Sequence, residues 1–394
     1  AAYILIPSDP EHLASWCRGL TVQPVAGTTD TYTLTSGPVA GVVRAGDLTV
    51  EFRPKVGVAP LLFLISYALD ADSWRPEDAH VAADMNLAEA IVPLFARAVH
   101  RALAPGLLQG YQNRKDTLAT IRGRVRMADQ FRACIGLPLP VEVTYDDYTP
   151  DILENQLLST AVDTLGRLHL RHQPSYTSLA RLRAQLSDVN PIAIGRHDVP
   201  EPFWTRLNER YRRAVALARL IITTAGVQAR VGGHDASALL VNTNQVFERF
   251  IRAALREQLH LTDATFPPAA RGHAIYLDRG SKPAVKLEPD LSWWAHGQCV
   301  FAGDCKYKRA DGDVPNADIF QMLAYLTALR LDEGWLIYAI GEGIASDIAI
   351  DYAGKRVRVR VVDITRAPTE ILDQMFDLAA EIRQVAENQR RTWQ

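Results

Sequence analysis

Three residues of this chain combine types and spacing that suggest chemistry. Asp290 closes the run Lys286-Leu287-Glu288-Pro289-Asp290, and Asp304 and Lys306 close the apolar run Val300-Phe301-Ala302-Gly303-Asp304-Cys305-Lys306-Tyr307. Strand side chains alternate with period two, so Asp304 and Lys306 share one face. Two carboxylates are hard oxygen ligands, suited to a divalent cation that keeps several of its waters. Such an ion stabilises charge on a phosphate and makes its bound water more acidic. Beside it, Lys306 would orient or deprotonate an attacking water, or stabilise developing negative charge. The sum is phosphodiester hydrolysis. An Asp and a Lys two apart on a strand also read as a plain ion pair at a sheet edge.

The elements that must position these residues are legible around them. The stretch 285–293 has strand-like composition, His296-Gly297-Gln298 is a turn, and residues 299–307 form the second strand of a hairpin. Upstream, residues 244–259 predict a helix with Val246, Phe247, Phe250, Ile251, Ala254 and Leu255 inward. Glu248 lies off that stripe, facing either the acids or solvent. Downstream of a polar loop, 309–318, Gln321 and Tyr325 sit four apart on one helix face. Strands at 274–277, 335–340 and 357–362 and a closing helix at 368–385 complete a mixed sheet flanked by helices.

These pieces carry a family resemblance. Pro289-Asp290 followed by Asp304-Cys305-Lys306 resembles the PD-(D/E)xK nuclease signature. The run Ile319-Phe320-Gln321-Met322-Leu323-Ala324-Tyr325 resembles the Q-x-x-x-Y helix of one branch of that superfamily, and Asn244-Gln245-Val246-Phe247-Glu248-Arg249-Phe250 resembles the helix that brings a further acid to such sites. In order and spacing the three resemble McrC, the nuclease subunit of McrBC-type modification-dependent restriction systems. The resemblance implies a Mg2+ site, open also to Mn2+, with Asp290 and Asp304 as metal ligands. It implies Lys306, Glu248 and Gln321 as further catalytic residues, and Lys308, Arg309 and Tyr325 become candidates for DNA contact. It also implies a separate McrB-like AAA+ GTPase that binds GTP, and double-stranded, modified DNA as target.

The rest of the sequence sets limits. At 394 residues the chain has room for several cores, and its 48% hydrophobic and 22% charged content is that of a folded protein. A net charge of −2 gives no global basic field, so DNA contact must come from local patches and a partner. The four cysteines, Cys17, Cys134, Cys299 and Cys305, form no C-x-x-C, which suggests neither zinc nor a disulfide framework and fits a reducing cytoplasm. The start carries no basic leader, no apolar run reaches membrane-spanning length, and no G-x-x-x-x-G-K-[S/T] loop occurs.

The expected division is a β-rich module at 1–84, a mostly helical docking region at 85–235 and the nuclease domain at 236–394, an α/β chain that is α+β taken whole. Arg53-Pro54-Lys55 is a turn that resembles a segment of McrC-like sequences. Arg122, Arg124 and Arg126 alternate on a strand-like stretch and would line one face, either solvated or meeting a partner. Thr149 or Asp151 is expected to cap a helix from about residue 152, with Glu154 and Asn155 reaching the nuclease core. One helix is expected at 176–186 and another from Pro200 to about residue 222. His169 and His172 lack a third ligand, and Gly232-Gly233-His234-Asp235 is a candidate boundary. The alternatives are a non-catalytic subunit that stimulates the GTPase and only holds DNA, and a nuclease that acts without nucleotide.

Overall fold

A computed structural model of the chain describes residues 2–5, 20–27, 31–45, 48–69, 85–133, 139–168, 170–195, 198–226, 236–269, 273–278, 285–309, 314–340 and 346–391. Cys17, Cys134, His169, the 232–235 turn and part of the 309–318 loop lie outside them. Within them the chain begins with β1 (Ala2–Leu5), β2 (Leu20–Pro24), β3 (Thr31–Ser36), β4 (Val39–Ala45) and β5 (Leu48–Phe52). Helices α1 (Val58–Leu69) and α2 (Leu87–Leu103) precede β6 (Gly110–Leu118), β7 (Arg124–Val125), α3 (Met127–Ala133) and β8 (Val141–Thr149). Next come α4 (Leu153–Gly166), α5 (Gln173–Gln185), α6 (Arg212–Thr224), β9 (Ala225–Gly226), β10 (Ala236–Asn242) and α7 (Thr243–Gln258). The C-terminal part holds β11 (Ile275–Tyr276), β12 (Lys286–Leu287), β13 (Leu291–Ala295), β14 (Gln298–Arg309), α8 (Asn316–Leu329), β15 (Glu333–Ile340), β16 (Ser346–Ile350), β17 (Lys355–Val361) and α9 (Pro368–Arg391).

Contacts group the chain into two compact units: Ala1–Ala90 with Gly226–Gln394, and Ile91–Ala225. In the first unit the N-terminal strands belong with the C-terminal part. β10 runs antiparallel to β4, and β4 to β5. The close approach fixes Gly41: at φ 144° a Cβ there would stand 1.9 Å from the Leu239 carbonyl oxygen. Helix α1 packs on α7 through edge-on aromatic contacts of Phe63 and Tyr67 with Phe250.

The C-terminal sheet has the order β13-β14-β15-β17-β16. Its inner pairs, β14 with β15 and β15 with β17, are parallel, and both edges are antiparallel. A parallel pair needs a crossover, which α8 supplies between β14 and β15. Trp335, Leu336, Ile337, Tyr338 and Ala339 are all buried, the unbroken apolar run of a strand covered on both faces. On one face Ala302, Leu336, Tyr338, Val357 and Val359 pack with Met322, Tyr325 and Leu326 of α8. On the other, Phe247 of α7 meets Tyr307. The β13–β14 hairpin turns at His296 and Gly297, both at positive φ (51° and 78°), as a two-residue hairpin demands.

One expected strand is corrected. Residues 285–293 do not run as a single strand: β12 pairs with β11 in its own two-stranded sheet, and β13 starts only after Pro289-Asp290. Proline cannot donate to a ladder, so the break falls there.

In the second unit, β6, β8 and β7 form an antiparallel sheet, with helices α4, α5 and α6 beside Leu157, Leu158, Leu165, Val215 and Ile221 as core. Three expectations change here. The helix from Pro200 begins only at Arg212, because Asn208 competes for the backbone: its Oδ1 accepts from Thr205 N at 2.7 Å and its Nδ2 donates to the Phe203 carbonyl at 2.8 Å. Helix α4 has no side-chain N-cap; Asp151 instead accepts from the Asn190 N–H and amide at 2.9 Å each. Glu154 and Asn155 stay within this unit, bound to Asn208 and to the Leu108 and Pro150 carbonyls.

Candidate functional site

The hairpin brings the two acids together through one backbone bond. Pro289 is buried and fixes the entry to β13, and the Asp290 Oδ2 beyond it accepts the Cys305 N–H at 2.8 Å. Cys305 follows Asp304, so its amide pins Asp290 beside the second carboxylate. Asp304 is 2% exposed, on the face of β14 that α8 covers, in register with Leu336 of β15. Each carboxyl group lies within the field of the other, and burial together with the Asp304 charge pushes the Asp290 carboxyl up.

Lys306 follows on the same face. Its Nζ lies 2.5 Å from Asp304 Oδ2 and donates to Gln321 Oε1 at 2.9 Å. Gln321 is itself fixed, donating from Nε2 to the Tyr325 hydroxyl at 2.7 Å, and that hydroxyl donates to the Glu288 carbonyl at 3.2 Å. Helix α8 thus ties the amine to the loop that carries Asp290. Glu248 enters from α7, whose N-terminus is capped by the Asn242 side chain accepting from Asn244 N and Gln245 N. Asp290, Asp304, Lys306, Gln321 and Glu248 line one cavity of about 470 Å3, along with Pro38, Asn244, Lys308 and Asp318.

Electrostatics mark the acids as unusual. Burial, then the neighbouring Asp304 and Glu248 carboxylates, push Asp290 up to about 8, against the Cys305 N–H and Lys306. Asp304 is raised as well, chiefly by burial, and so is Glu248. Lys306 moves the other way in charge: burial disfavours its ammonium, but Asp304, Asp318 and Asp290 outweigh that and hold its pKa above the usual lysine value. The pocket is therefore acid-rich, and those acids hold the proton on Lys306.

The donor set suits a hard divalent cation. The Asp304 Oδ2 is buried, and its counter-charge is the Lys306 ammonium 2.5 Å away. A buried carboxylate needs a positive charge beside it, which the ammonium supplies here and a divalent cation could supply in its place. Among the described residues no three His, Cys, Asp or Glu side chains close into a ready-made cage. Two carboxylates with water completing the shell is the arrangement Mg2+ prefers.

Several lining residues were not singled out in the sequence. Asp318 is 7% exposed and accepts the Tyr338 hydroxyl at 2.7 Å, while Lys308 Nζ stands 2.6 Å from the same Oδ2. Asp318 lies three residues before Gln321, one helical turn away on the same face, which is the signal that could have found it. Pro38 reaches the cavity from the turn before β4, where its carbonyl accepts from Thr243 N at 2.8 Å and from Thr243 Oγ1 at 3.1 Å. Nothing in the local sequence marks it.

Other candidates sit differently. Tyr325 is 3% exposed, so this expected DNA contact instead positions Gln321 from below. Lys308 is half-exposed and paired; Arg309 ends β14, and its side chain lies outside the described residues. Arg122, Arg124 and Arg126 form no free basic row. β7 is two residues long, because Gly123 (φ 71°) presses against β8, where a Cβ would meet the Thr144 carbonyl oxygen at 2.4 Å. Arg122 pairs with Asp147 at 2.7 Å and lies over the Tyr145 ring, and Arg126 pairs with Asp129 and Glu142 at 2.5 Å each. Arg124 stays exposed.

Comparison with known proteins places this geometry in context. The family model described as McrBC 5-methylcytosine restriction system component matches residues 34–339. In fold the chain is similar to one in a refined half-complex from a tetradecameric assembly of Thermococcus gammatolerans McrB AAA+ hexamers with bound McrC: TM-score 0.54, 19% identity, 91% of this chain and 85% of that one covered. A chain of the Thermococcus gammatolerans McrBC complex matches at TM-score 0.40 and 22% identity, covering 58% of this chain and 68% of that one. Among curated proteins no match is found.

Proposed function

Since this chain belongs to the family of McrBC 5-methylcytosine restriction system components, we propose that it is the McrC-type subunit that cuts DNA. It is a Mg2+-dependent endonuclease of the PD-(D/E)xK kind, able to use Mn2+, and works with a separate McrB-like AAA+ GTPase. GTP is bound and hydrolysed by that partner. The observation that carries the reading is the meeting of Asp290 and Asp304, with Lys306 beside them, at one open cavity.

Asp290 and Asp304 would hold the ion, which when bound stabilises charge on the scissile phosphate and acidifies its water. Lys306 keeps its proton, so it binds a phosphate oxygen and stabilises developing charge rather than acting as a base. Gln321, fixed by Tyr325, holds the Lys306 ammonium in the cavity. Glu248, whose carboxyl burial pushes up, lines the same cavity from α7 and would orient water there. Lys308 at the rim contacts the flanking backbone. The family description supports 5-methylcytosine-bearing double-stranded DNA as substrate, and the McrB AAA+ hexamers bound to McrC in the similar structure support the partner.

The test is Asp304→Ala with partner, GTP, Mg2+ and methylated DNA. Cleavage should vanish while stimulation of the partner's GTPase persists. A wild-type protein that stimulates the GTPase but never cuts would make this chain a non-catalytic assembly subunit. Cutting that needs no partner or nucleotide would make it a stand-alone nuclease.

A further inference from the structure

One charged cluster beside the acids has no place in the roles above. Asp318 stands at the start of α8 and points its carboxylate at both lysines of β14. Its Oδ2 accepts the Tyr338 hydroxyl and pairs with Lys308. Its Oδ1 lies 3.8 Å from Lys306 Nζ, which at present rests 2.5 Å from Asp304 Oδ2. The Lys306 ammonium therefore has two carboxylates within reach, one it holds and one just beyond contact.

That spacing matters if Asp304 is to take a cation. The oxygen that Lys306 approaches lines the acid-rich cavity, and a cation bound there would replace the ammonium as its counter-charge. An ammonium and a divalent cation cannot both press on a single buried oxygen, because like charges at contact repel strongly in a poorly screened site. Lys306 must yield. Moving it to solvent would remove it from the phosphate; moving it toward Asp318 keeps it in the cavity, still held by Gln321.

We propose that Asp318 is a positioning residue, the counter-ion that receives Lys306 when Asp304 turns to the cation. The proposal rests on the reading that Asp304 is a metal ligand. Tyr338, buried at the neighbouring strand, holds Asp318 in the orientation needed. Lys308 shares that carboxylate, so the two ammonium groups become a pair set to grip adjacent phosphate oxygens.

The test is Mn2+ binding to the full chain, measured by titration calorimetry without DNA, so that it does not depend on turnover. Asp318→Asn should weaken Mn2+ about tenfold, within the range of coupling between contacting groups. Asp318→Glu, which keeps the charge, should stay within about threefold of wild type. In a Lys306→Ala background Asp318→Asn should change affinity less than about twofold, because no ammonium remains to be received. Thermal melts show which variants fold, and Asp318→Ala, which also removes the charge, carries the comparison if Asp318→Asn does not. Equal weakening with and without Lys306 would mean that Asp318 acts through its field alone, and wild-type affinity in Asp318→Asn would mean that it does nothing; either overturns the proposal. If wild type and Asp304→Ala bind Mn2+ identically, the metal reading itself fails and takes this inference with it.

Discussion

The Cys305 N–H donates to Asp290 Oδ2 at 2.8 Å, so the acid before β13 is held against the acid inside β14 by the backbone of the strand that carries the second one. The two carboxylates cannot drift apart without breaking a bond in a largely buried place. An asparagine at 290 keeps the carbonyl acceptor and loses the charge. Asp290→Asn should therefore fold normally and melt no lower than wild type in cation-free buffer, since it relieves repulsion with Asp304 and Glu248. DNA cleavage should fall by about 10²–10³ or more, the scale of losing one preorganised electrostatic contact. Calorimetry and a plasmid-cutting assay measure the two halves.

Asp290 also sets a pH dependence. Its folded value, about 8, lies above that of an unfolded aspartate, so the folded chain binds more protons between the two. Stability contributed by this group is fully present below the unfolded value and is lost as pH rises through the folded one. A cation replaces the missing proton. Mg2+ or Mn2+ should raise the melting temperature clearly at about pH 8.5 and hardly at all at about pH 5.5. Equal shifts at both values would mean that the ion binds elsewhere.

Gly334 tests the seating of α8. A Cβ there would come within 2.4 Å of Met322 Sδ and 2.8 Å of Leu326 Cδ2, both in the buried layer between helix and sheet. Gly334→Ala should cost about 1–3 kcal/mol, the usual range for overpacking a core. It should also slow cleavage, because lifting α8 displaces Gln321 from Lys306. Denaturant melts alongside turnover rates would show both effects.

In the second unit the two arginines Arg126 and Arg124 should behave oppositely. Arg126 is tied to Asp129, Glu142 and the Val143 carbonyl, and Arg126→Ala should lose about 1–2 kcal/mol after allowance for solvent screening. Arg124 is exposed, and Arg124→Ala should change stability by less than about 0.5 kcal/mol. If this stretch meets the AAA+ partner, Arg124→Ala alone lowers GTPase stimulation with the fold intact.

Much of the C-terminal sheet was legible in the sequence because its signals are local. Period two put Asp304 and Lys306 on one face, spacing of four joined Gln321 to Tyr325, and His296-Gly297 marked the hairpin turn. What stayed hidden depends on register between distant segments. Asp318, Lys308 and Tyr338 meet because β15 lies parallel to β14 with Lys306 opposite Tyr338, a pairing no local pattern specifies. Pro38 reaches the cavity because β4 pairs with β10 across a long separation. The arginine stretch differs from its pattern for the same reason: β8 supplies Asp147 and Glu142 as ion-pair partners of Arg122 and Arg126, and Gly123 breaks the strand.

The most direct test is an anomalous difference map from crystals soaked in Mn2+. A single peak should appear between Asp290 and Asp304, about 2.1 Å from an oxygen of each, as for small divalent ions, with Lys306 displaced from Asp304. A peak away from both acids, or none at saturating Mn2+ with Lys306 still on Asp304, would contradict the account.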